Sequence, residues 1–444
     1  MVKMATTKPK KITLRSYQVG FGDCFLMTFH YAKFDRHILI DFGSTGRPKN
    51  SESKKKGADK LMTRVAKDIR EQCGGKLHAV VATHRHADHI SGFDTSGKDA
   101  PGTIIAECDP DVVLQPWTEH PRANPITGKV ASSNGNKSLA FGVALHDMHA
   151  ISEAVLREAT LRGKALLGKG LHDQLSFLGE DNIKNLPAVK NLMEMGQGKN
   201  KEGKKKKAVY AHFGSASGLA TVLPGVKVTV LGPPSLDQTK TIKKMAKTDA
   251  DEFWHFQAVA GEFVTKPKAQ VFKNAQTFDP TRKPPSTRWF IDRMQKIRGE
   301  QLLGIMRALD QVMNNTSLIL LFEVNGKKLL FPGDAQIENW AYALQQKKVQ
   351  KLLADVDLYK VGHHGSLNAT PKTLWNLFKK RSTKKSAERL QCLVSTMSGK
   401  HGSPPKTEVP RKPLVEALGK ESNFFSTQEL RGVKNIRKDF EIEL

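Results

Sequence analysis

Four metal-binding side chains stand within six positions of one another: His84, His86, Asp88 and His89, in the stretch THRHADHISG. Imidazole and carboxylate at this density are ligands for a borderline ion such as Zn²⁺, or for Mn²⁺ or Fe where oxygen donors dominate. On a loop leaving a strand, His84 and His86 can point the same way and share one ion. Asp88 and His89 fall on the next turn and can hold a second. A pair of divalent ions activates water and stabilises negative charge developing at a scissile group. A merely solvated loop seldom has this order of residues directly after an apolar run.

Such ligands need a rigid carrier. The run Ala79-Val80-Val81-Ala82 before the motif reads as a central strand that delivers its last side chains to a rim. Two other apolar strands end the same way. Lys328–Phe331 runs into Pro332-Gly333-Asp334-Ala335, and 355–361 runs into Gly362-His363-His364-Gly365-Ser366. Strand ends in a layered α/β protein converge on one rim, so the three clusters are expected to form one site. Asp334 suits a carboxylate bridging two cations, and it also suits a cap for the helix expected from Ile337 to Leu353. Asp41 closes the strand His37–Ile40. It reads as a turn cap or as a residue that hydrogen-bonds the metal loop from behind.

The remaining chain supplies the frame. Residues 12–42 alternate like a β-hairpin followed by a further strand, with Val19-Gly20-Phe21-Gly22-Asp23 as a tight turn between the first strands. Helical spacing covers 60–73, packed beside the strand 79–82. Further strands are expected at 111–114, 226–231, 317–323 and 390–396. Asn325-Gly326 between two apolar runs predicts a hairpin. A helix near 411–418 is followed by a basic tail. Residues 139–195 are mostly helical in pattern, and His146, His149 and His172 there read as ordinary surface or core residues. The stretch 196–207, GQGKNKEGKKKK, has the composition of a flexible loop. Residues 235–313 interrupt the β pattern. Their basic and aromatic residues, Lys283, Arg288 and Trp289 among them, read as a satellite core more than as a stacking platform for a single strand.

The chain of 444 residues carries a formal net charge of +27, with 71 Lys and Arg against 44 Asp and Glu. That excess favours a polyanionic partner such as DNA, RNA or an anionic surface. The four cysteines, Cys24, Cys73, Cys108 and Cys392, are far apart and form no C-x-x-C, so free thiols are expected. The basic opening has no apolar stretch of a signal peptide, and no run approaches a membrane span. The expected compartment is the cytoplasm.

These motifs carry a resemblance. THRHADHISG is similar to the dinuclear metal motif of the metallo-β-lactamase superfamily. NNTSLILLFEVNGKKLLFPGDA followed by DLYKVGHHGS, and the opening VGFGDCFLM…ILIDFGS, resemble its ComEC-like branch, the hydrolase domain of the DNA-internalisation competence protein. LVSTMSGKHGSPPKTEV resembles that branch's closing segment more loosely. The matching blocks cover about half the chain.

The resemblance implies an αββα sandwich, a metallo-β-lactamase fold over residues 1–444, with partly helical insertions at 120–210 and 235–313. It implies two divalent ions, Zn or Mn. His84 and His86 would bind the first, Asp88 and His89 the second, with Asp334 bridging and His364 the last ligand. His363 would contact substrate or assist protonation beside Asp88 in catalysis, although the roles of His363 and His364 could be exchanged. Asp41 would orient the loop, and Asp23, Ser366 and His401 are candidate substrate contacts. Most of the superfamily has a further histidine ligand where this chain reads Asn314-Asn315-Thr316. Amides bind zinc less well than imidazole, which leaves room for Mn²⁺. The expected activity is metal-dependent phosphodiester hydrolysis of DNA. The alternatives are hydrolysis of a small nucleotide, phosphoester or lactone, and a nucleic-acid-binding subunit of a larger system, whose protein partner the sequence does not name.

Overall fold

The computed structural model describes residues 7–48, 59–121, 185–235, 238, 313–400 and 408–444. It is a mixed α/β protein built on two mixed sheets. The first holds seven strands in the order β13-β1-β2-β3-β4-β5-β6. These are β1 Lys11–Tyr17, β2 Cys24–His30, β3 Asp35–Phe42, β4 Ala79–Val81, β5 Val112–Pro116, β6 Lys207–Ala211 and β13 Arg437–Glu443. The second holds six, β12-β11-β10-β9-β8-β7. These are β7 Lys227–Gly232, β8 Ile319–Val324, β9 Lys327–Phe331, β10 Leu358–Lys360, β11 Gln391–Val394 and β12 Asn423–Ser426. In each sheet an antiparallel half joins a parallel half: β3 pairs parallel with β4, and β9 parallel with β10.

Both faces of the central strands are covered, which explains their nearly continuous apolar runs. The period of two sorts them. Phe25, Met27 and Phe29 of β2 point inward to meet Phe322, Leu329 and Phe331 of the other sheet, and the rings of Phe25 and Phe331 meet edge-on at 5.8 Å. Cys24 and Leu26 point outward, under helices. The outer layer on the first sheet comprises α1 Leu61–Gln72, the short turn α2 Ala87–Ile90, α3 Pro101–Glu107 and α4 Leu186–Met195. In α1 the buried residues Leu61, Val65, Ala66 and Ile69 form one stripe against Val80. Gly74 and Gly75, at φ +58° and +74°, stop the helix. The outer layer on the second sheet comprises α5 Ile337–Leu344, α6 Lys347–Ala354, α7 Lys372–Leu377 and α8 Lys412–Glu421.

Several expectations need correction. The single helix expected over 337–353 is two, broken at Gln346, whose backbone is extended. At about 100° per residue, Val349 would lie on the opposite face from Trp340 in one unbroken helix. The break re-phases the chain so that Trp340, Val349 and Leu353 all reach the same core. The basic tail is β12 and β13. β13 pairs along the whole of β1, from Lys11 opposite Glu443 to Tyr17 opposite Arg437. Residues 101–107, not read as an element, are helical. Residues 186–195 and 207–211, read as part of an insertion, belong to the frame: α4 packs on the outer core and β6 pairs with β5. The lysine-rich stretch between them is a turn tied down by Asn200, whose amide donates to Asp111 Oδ1 at 2.6 Å. The rest of both insertions lies outside the described residues, with His146, His149, His172, Lys283, Arg288 and Trp289. All four cysteines are buried and free of disulfides. Among the described residues no helix is long and apolar enough to cross a membrane.

Candidate metal centre

The carboxyl ends of the parallel strands β3, β4, β9, β10 and β11 meet on one rim. The turn before β2 joins them there, because β2 runs antiparallel to β3. After β4 the chain passes through Thr83 to Arg85 and enters α2, so His84, His86, Asp88 and His89 leave one strand end. Two glycines allow the packing that holds this loop. A Cβ on Gly43 would lie 2.4 Å from the Asp88 carbonyl carbon and the His89 nitrogen, and one on Gly22 would lie 2.7 Å from the Asp88 carbonyl oxygen. The 19–23 segment, read as a tight turn, is therefore also a seat for the metal loop. The Asp23 N–H donates to the Asp88 carbonyl at 2.8 Å.

Two groups of ligand atoms share Asp88, each with its atoms within 4.8 Å of one another: Asp88, His89, Asp334 and His364, and His84, His86 and Asp88; a third, Asp23, Asp41 and His89, meets at the same spacing. All are buried. His84 Nε2 and His86 Nδ1 converge at 3.0 Å, and Asn314 Oδ1 lies 3.1 Å from the same His86 nitrogen. In the other group His364 Nε2 is 2.9 Å from Asp88 Oδ2 and 3.5 Å from Asp334 Oδ2. His89 Nε2 is 3.1 Å from Asp334 Oδ2. Asp88 Oδ1, His89 Nε2 and Asp334 Oδ2 are buried and make no hydrogen bond. His89 Nε2 and Asp334 Oδ2 face each other at 3.1 Å, and this crowding of imidazole and carboxylate atoms around the unpaired Asp88 Oδ1 describes a cradle for a cation. The donor set fits a divalent metal ion.

The opposite ends of the imidazoles are fixed. Asp41 accepts from Thr83 N–H and Thr83 Oγ1, both at 2.7 Å, and from His89 Nδ1 at 2.8 Å. His364 Nδ1 donates to the Ser395 carbonyl at 2.9 Å. Each of these bonds leaves Nε2 as the atom that faces the centre. Asp41 itself sits at φ +53°, and His363 and His364 at +45° and +51°. That left-handed backbone costs energy outside glycine and is concentrated here, at the rim.

The electrostatics follow from burial and crowding. Burial first, then the neighbouring imidazoles of His89 and His86, hold His84 far below the ordinary histidine value. Burial opposes a charge on His89 too, but Asp334, Asp41 and Asp23 outweigh it and raise its pKa well above the usual value. His364 is raised against burial by Asp334 and Asp88. Burial likewise opposes ionisation of Asp334, and His89, His364 and Lys360 overcome it, leaving that carboxyl well below the usual range. The carboxylates of the centre thus favour positive charge at His89 and His364.

The structure thus brings together His84, His86, Asp88, His89, Asp334 and His364, with Asp41 behind them and Asn314 beside His86. The carboxylate shared by the two groups is Asp88, whereas Asp334 sits in only one of them. His363 is half-buried at the edge, its Nε2 4.0 Å from Asp334 Oδ2. Asn315 faces away: its Oδ1 accepts from Gln336 N–H at 3.2 Å and its amide donates to Glu338, so it braces the start of α5. Ser366 is half-buried beyond the histidine turn. Asp23, expected to contact substrate, is instead 1% exposed and ion-paired with Lys360 behind His89 and His364; a group so enclosed cannot reach a substrate. His401 lies outside the described residues.

Sequence reasoning missed Thr83, Ser395 and Lys360. Lys360 carried a signal: a lysine in the third position of a buried parallel strand, on the same face as Leu358. Arg85, between the two histidines, is buried and pairs with Glu119 at 3.5 Å, which ties the loop to the turn after β5. A scan against protein-family models and a search of curated proteins find no match to this chain.

Proposed function

We propose that the protein is a metal-dependent phosphodiesterase of the metallo-β-lactamase fold, acting on DNA. The observation that carries this reading is the set of buried ligand atoms converging where three strand ends meet, on residues arranged H-x-H-x-D-H with an aspartate and a histidine from the other sheet. Two facing mixed sheets with helices outside are the layering that the resemblance implies. In this reading His84 and His86 would hold one ion and His89, Asp334 and His364 the other, with Asp88 shared between the two groups. Asn314 supplies an oxygen where an imidazole would otherwise stand, which favours Mn²⁺ over strict zinc use.

Charge counting supports two ions. Asp23, Asp41, Asp88 and Asp334 are buried in the site with Lys360 as the one buried ammonium among them, an excess of three negative charges when the imidazoles are neutral. One divalent ion leaves the centre negative by one, whereas two leave it positive by one, suited to an anionic phosphodiester. Divalent ions held there would supply acidified water and positive charge for the phosphoryl oxygens. The chain's own residues then have distinct tasks. Asp41 and the Ser395 carbonyl hold the proton on the Nδ1 atoms of His89 and His364. His363, at the edge and within reach of Asp334, is placed to give a proton to the leaving oxygen. The net charge of +27 favours a polymeric polyanion and predicts binding that weakens steeply with salt.

The test is cleavage of single- and double-stranded DNA at low salt with Mn²⁺, Mg²⁺ or Zn²⁺. The wild type is compared with an Asp88→Ala/His89→Ala variant. Metal-dependent cleavage lost in the variant is the expected result. Absence of cleavage with every ion and both substrates would refute the proposal.

A further inference from the structure

Lys360 is a fully buried lysine, 1% exposed, at the end of β10 and three residues before His363. Its ammonium forms an ion pair with Asp23, donates to the Gly333 carbonyl at 3.2 Å, and lies 3.5 Å from Asp334 Oδ1. The same Oδ1 accepts the His363 N–H at 3.0 Å. One oxygen of Asp334 is therefore held by the ammonium and a backbone N–H, and the other, Oδ2, is the one that faces the ligand atoms of His89 and His364. The partner Asp23 sits behind the same imidazoles, with its oxygens 3.8 Å from His89 Nδ1 and 3.6 Å from His364 Nδ1. A lysine placed only to stabilise the sheet could have been an apolar residue, because a buried ion pair is seldom a net gain.

We infer that Lys360 is a resident cation of the metal centre, a positioning residue that limits Asp334 to one open oxygen and weakens the centre's hold on divalent metal. This rests on the metal-centre reading above. The ammonium and the metal compete for one carboxylate, and Asp23 offsets part of that competition. The two partners of the buried pair must then act on metal affinity in opposite directions. Removing the ammonium tightens binding, and removing the Asp23 charge turns the ammonium fully upon Asp334 and loosens it. A pair that only supports the fold would loosen binding whichever partner was lost.

The experiment is titration of metal-free protein with Mn²⁺ or Zn²⁺ alone against a competing chelator, for wild type, Lys360→Gln and Asp23→Asn, with a melting curve on each. Glutamine keeps an uncharged donor on a side chain one bond shorter. The expected result is binding roughly tenfold tighter in Lys360→Gln and roughly tenfold weaker in Asp23→Asn. Should Lys360→Gln alone not fold, the Lys360→Gln/Asp23→Asn variant is compared with Asp23→Asn, and loss of the ammonium must again tighten binding. Unchanged or weaker binding on loss of the lysine overturns the inference while leaving the metal centre standing. A wild type that takes up no metal overturns both.

Discussion

The substitution Asp41→Asn isolates the task of the residue behind the metal loop. Asparagine tolerates the left-handed backbone found at this position, φ +53°, so the strand end keeps its path. Alanine would add backbone strain and is the poorer probe. In the variant the amide oxygen can still accept from Thr83 N–H, now 2.7 Å from Asp41 Oδ1. The amide nitrogen replaces Oδ2, which accepts from Thr83 Oγ1 and from His89 Nδ1 at 2.8 Å. The hydroxyl can rotate and accept; the imidazole has to change tautomer. His89 would then carry its proton on Nε2, the atom facing Asp334 Oδ2 at 3.1 Å, and that atom could no longer bind metal. Holding the original tautomer sets one buried N–H against another, at a cost of about 1–3 kcal/mol. At about 1.4 kcal/mol per decade, metal affinity should fall by roughly 10- to 100-fold, the range typical of partners that orient a ligating histidine. Metal titration against a chelator measures it, and circular dichroism checks the fold. Affinity within about twofold of wild type would refute the assignment of Asp41.

Other outcomes follow from the same geometry. His89 and His364 are raised in the metal-free protein. Their contribution to stability is full below the unfolded value of about 6.5 and is lost as pH rises through the raised folded values. With chelator present, the melting temperature should therefore fall above about pH 7, where the histidines held low by burial, His84, His37 and His78, are neutral in both states and no longer contribute a slope, and excess Mn²⁺ should abolish or reverse that fall, because metal needs neutral imidazole; equal slopes with and without metal would count against the centre. Deleting residues 437–444 removes the strand paired along β1, exposes that edge, and withdraws Phe440 and Ile442 from the inner core. A loss of at least about 3 kcal/mol in urea unfolding is expected. Trp340→Ala, at a side chain 0% exposed, should cost about 3–5 kcal/mol through the cavity left under α5 and α6. A loss under 1 kcal/mol in the same assay would contradict the packing described for that layer.

Much of this arrangement can be read from residue order because burial on both faces leaves long apolar runs, and each run ends where chemistry begins. The strands 24–30, 35–42, 319–324 and 327–331 fall close to where alternation and the Asn325-Gly326 turn put them. β13 was hidden by its charges: in Arg437–Glu443 only Phe440 and Ile442 mark the inward face, and an edge strand needs no more. The break at Gln346 was hidden because both halves of 337–354 are good helix, and only the phase between Trp340 and Val349 shows that a single helix cannot serve both. The clustered ligands were legible because chemistry restricts which side chains can bind metal. Most of their supports were not, since Thr83 and Ser395 work through where they stand, and only Lys360 is marked, by its place in an apolar strand.

Asp23 shows how a correct neighbourhood can still give a wrong role. The Gly-rich turn places it at the rim, which suggests a substrate contact. What turns it inward is Lys360, 337 positions further along the chain, supplied by the facing sheet. An ammonium can be buried on an inner strand face only if carboxylates meet it there, and Asp23 and Asp334 are those carboxylates. The constraint runs both ways. Asp23 is enclosed because Lys360 needs it, and Asp334 keeps one oxygen open because Lys360 and the His363 N–H hold the other. No local pattern in either segment specifies this. It arises from a packing of the two sheets that brings a lysine on β10 beneath the turn before β2.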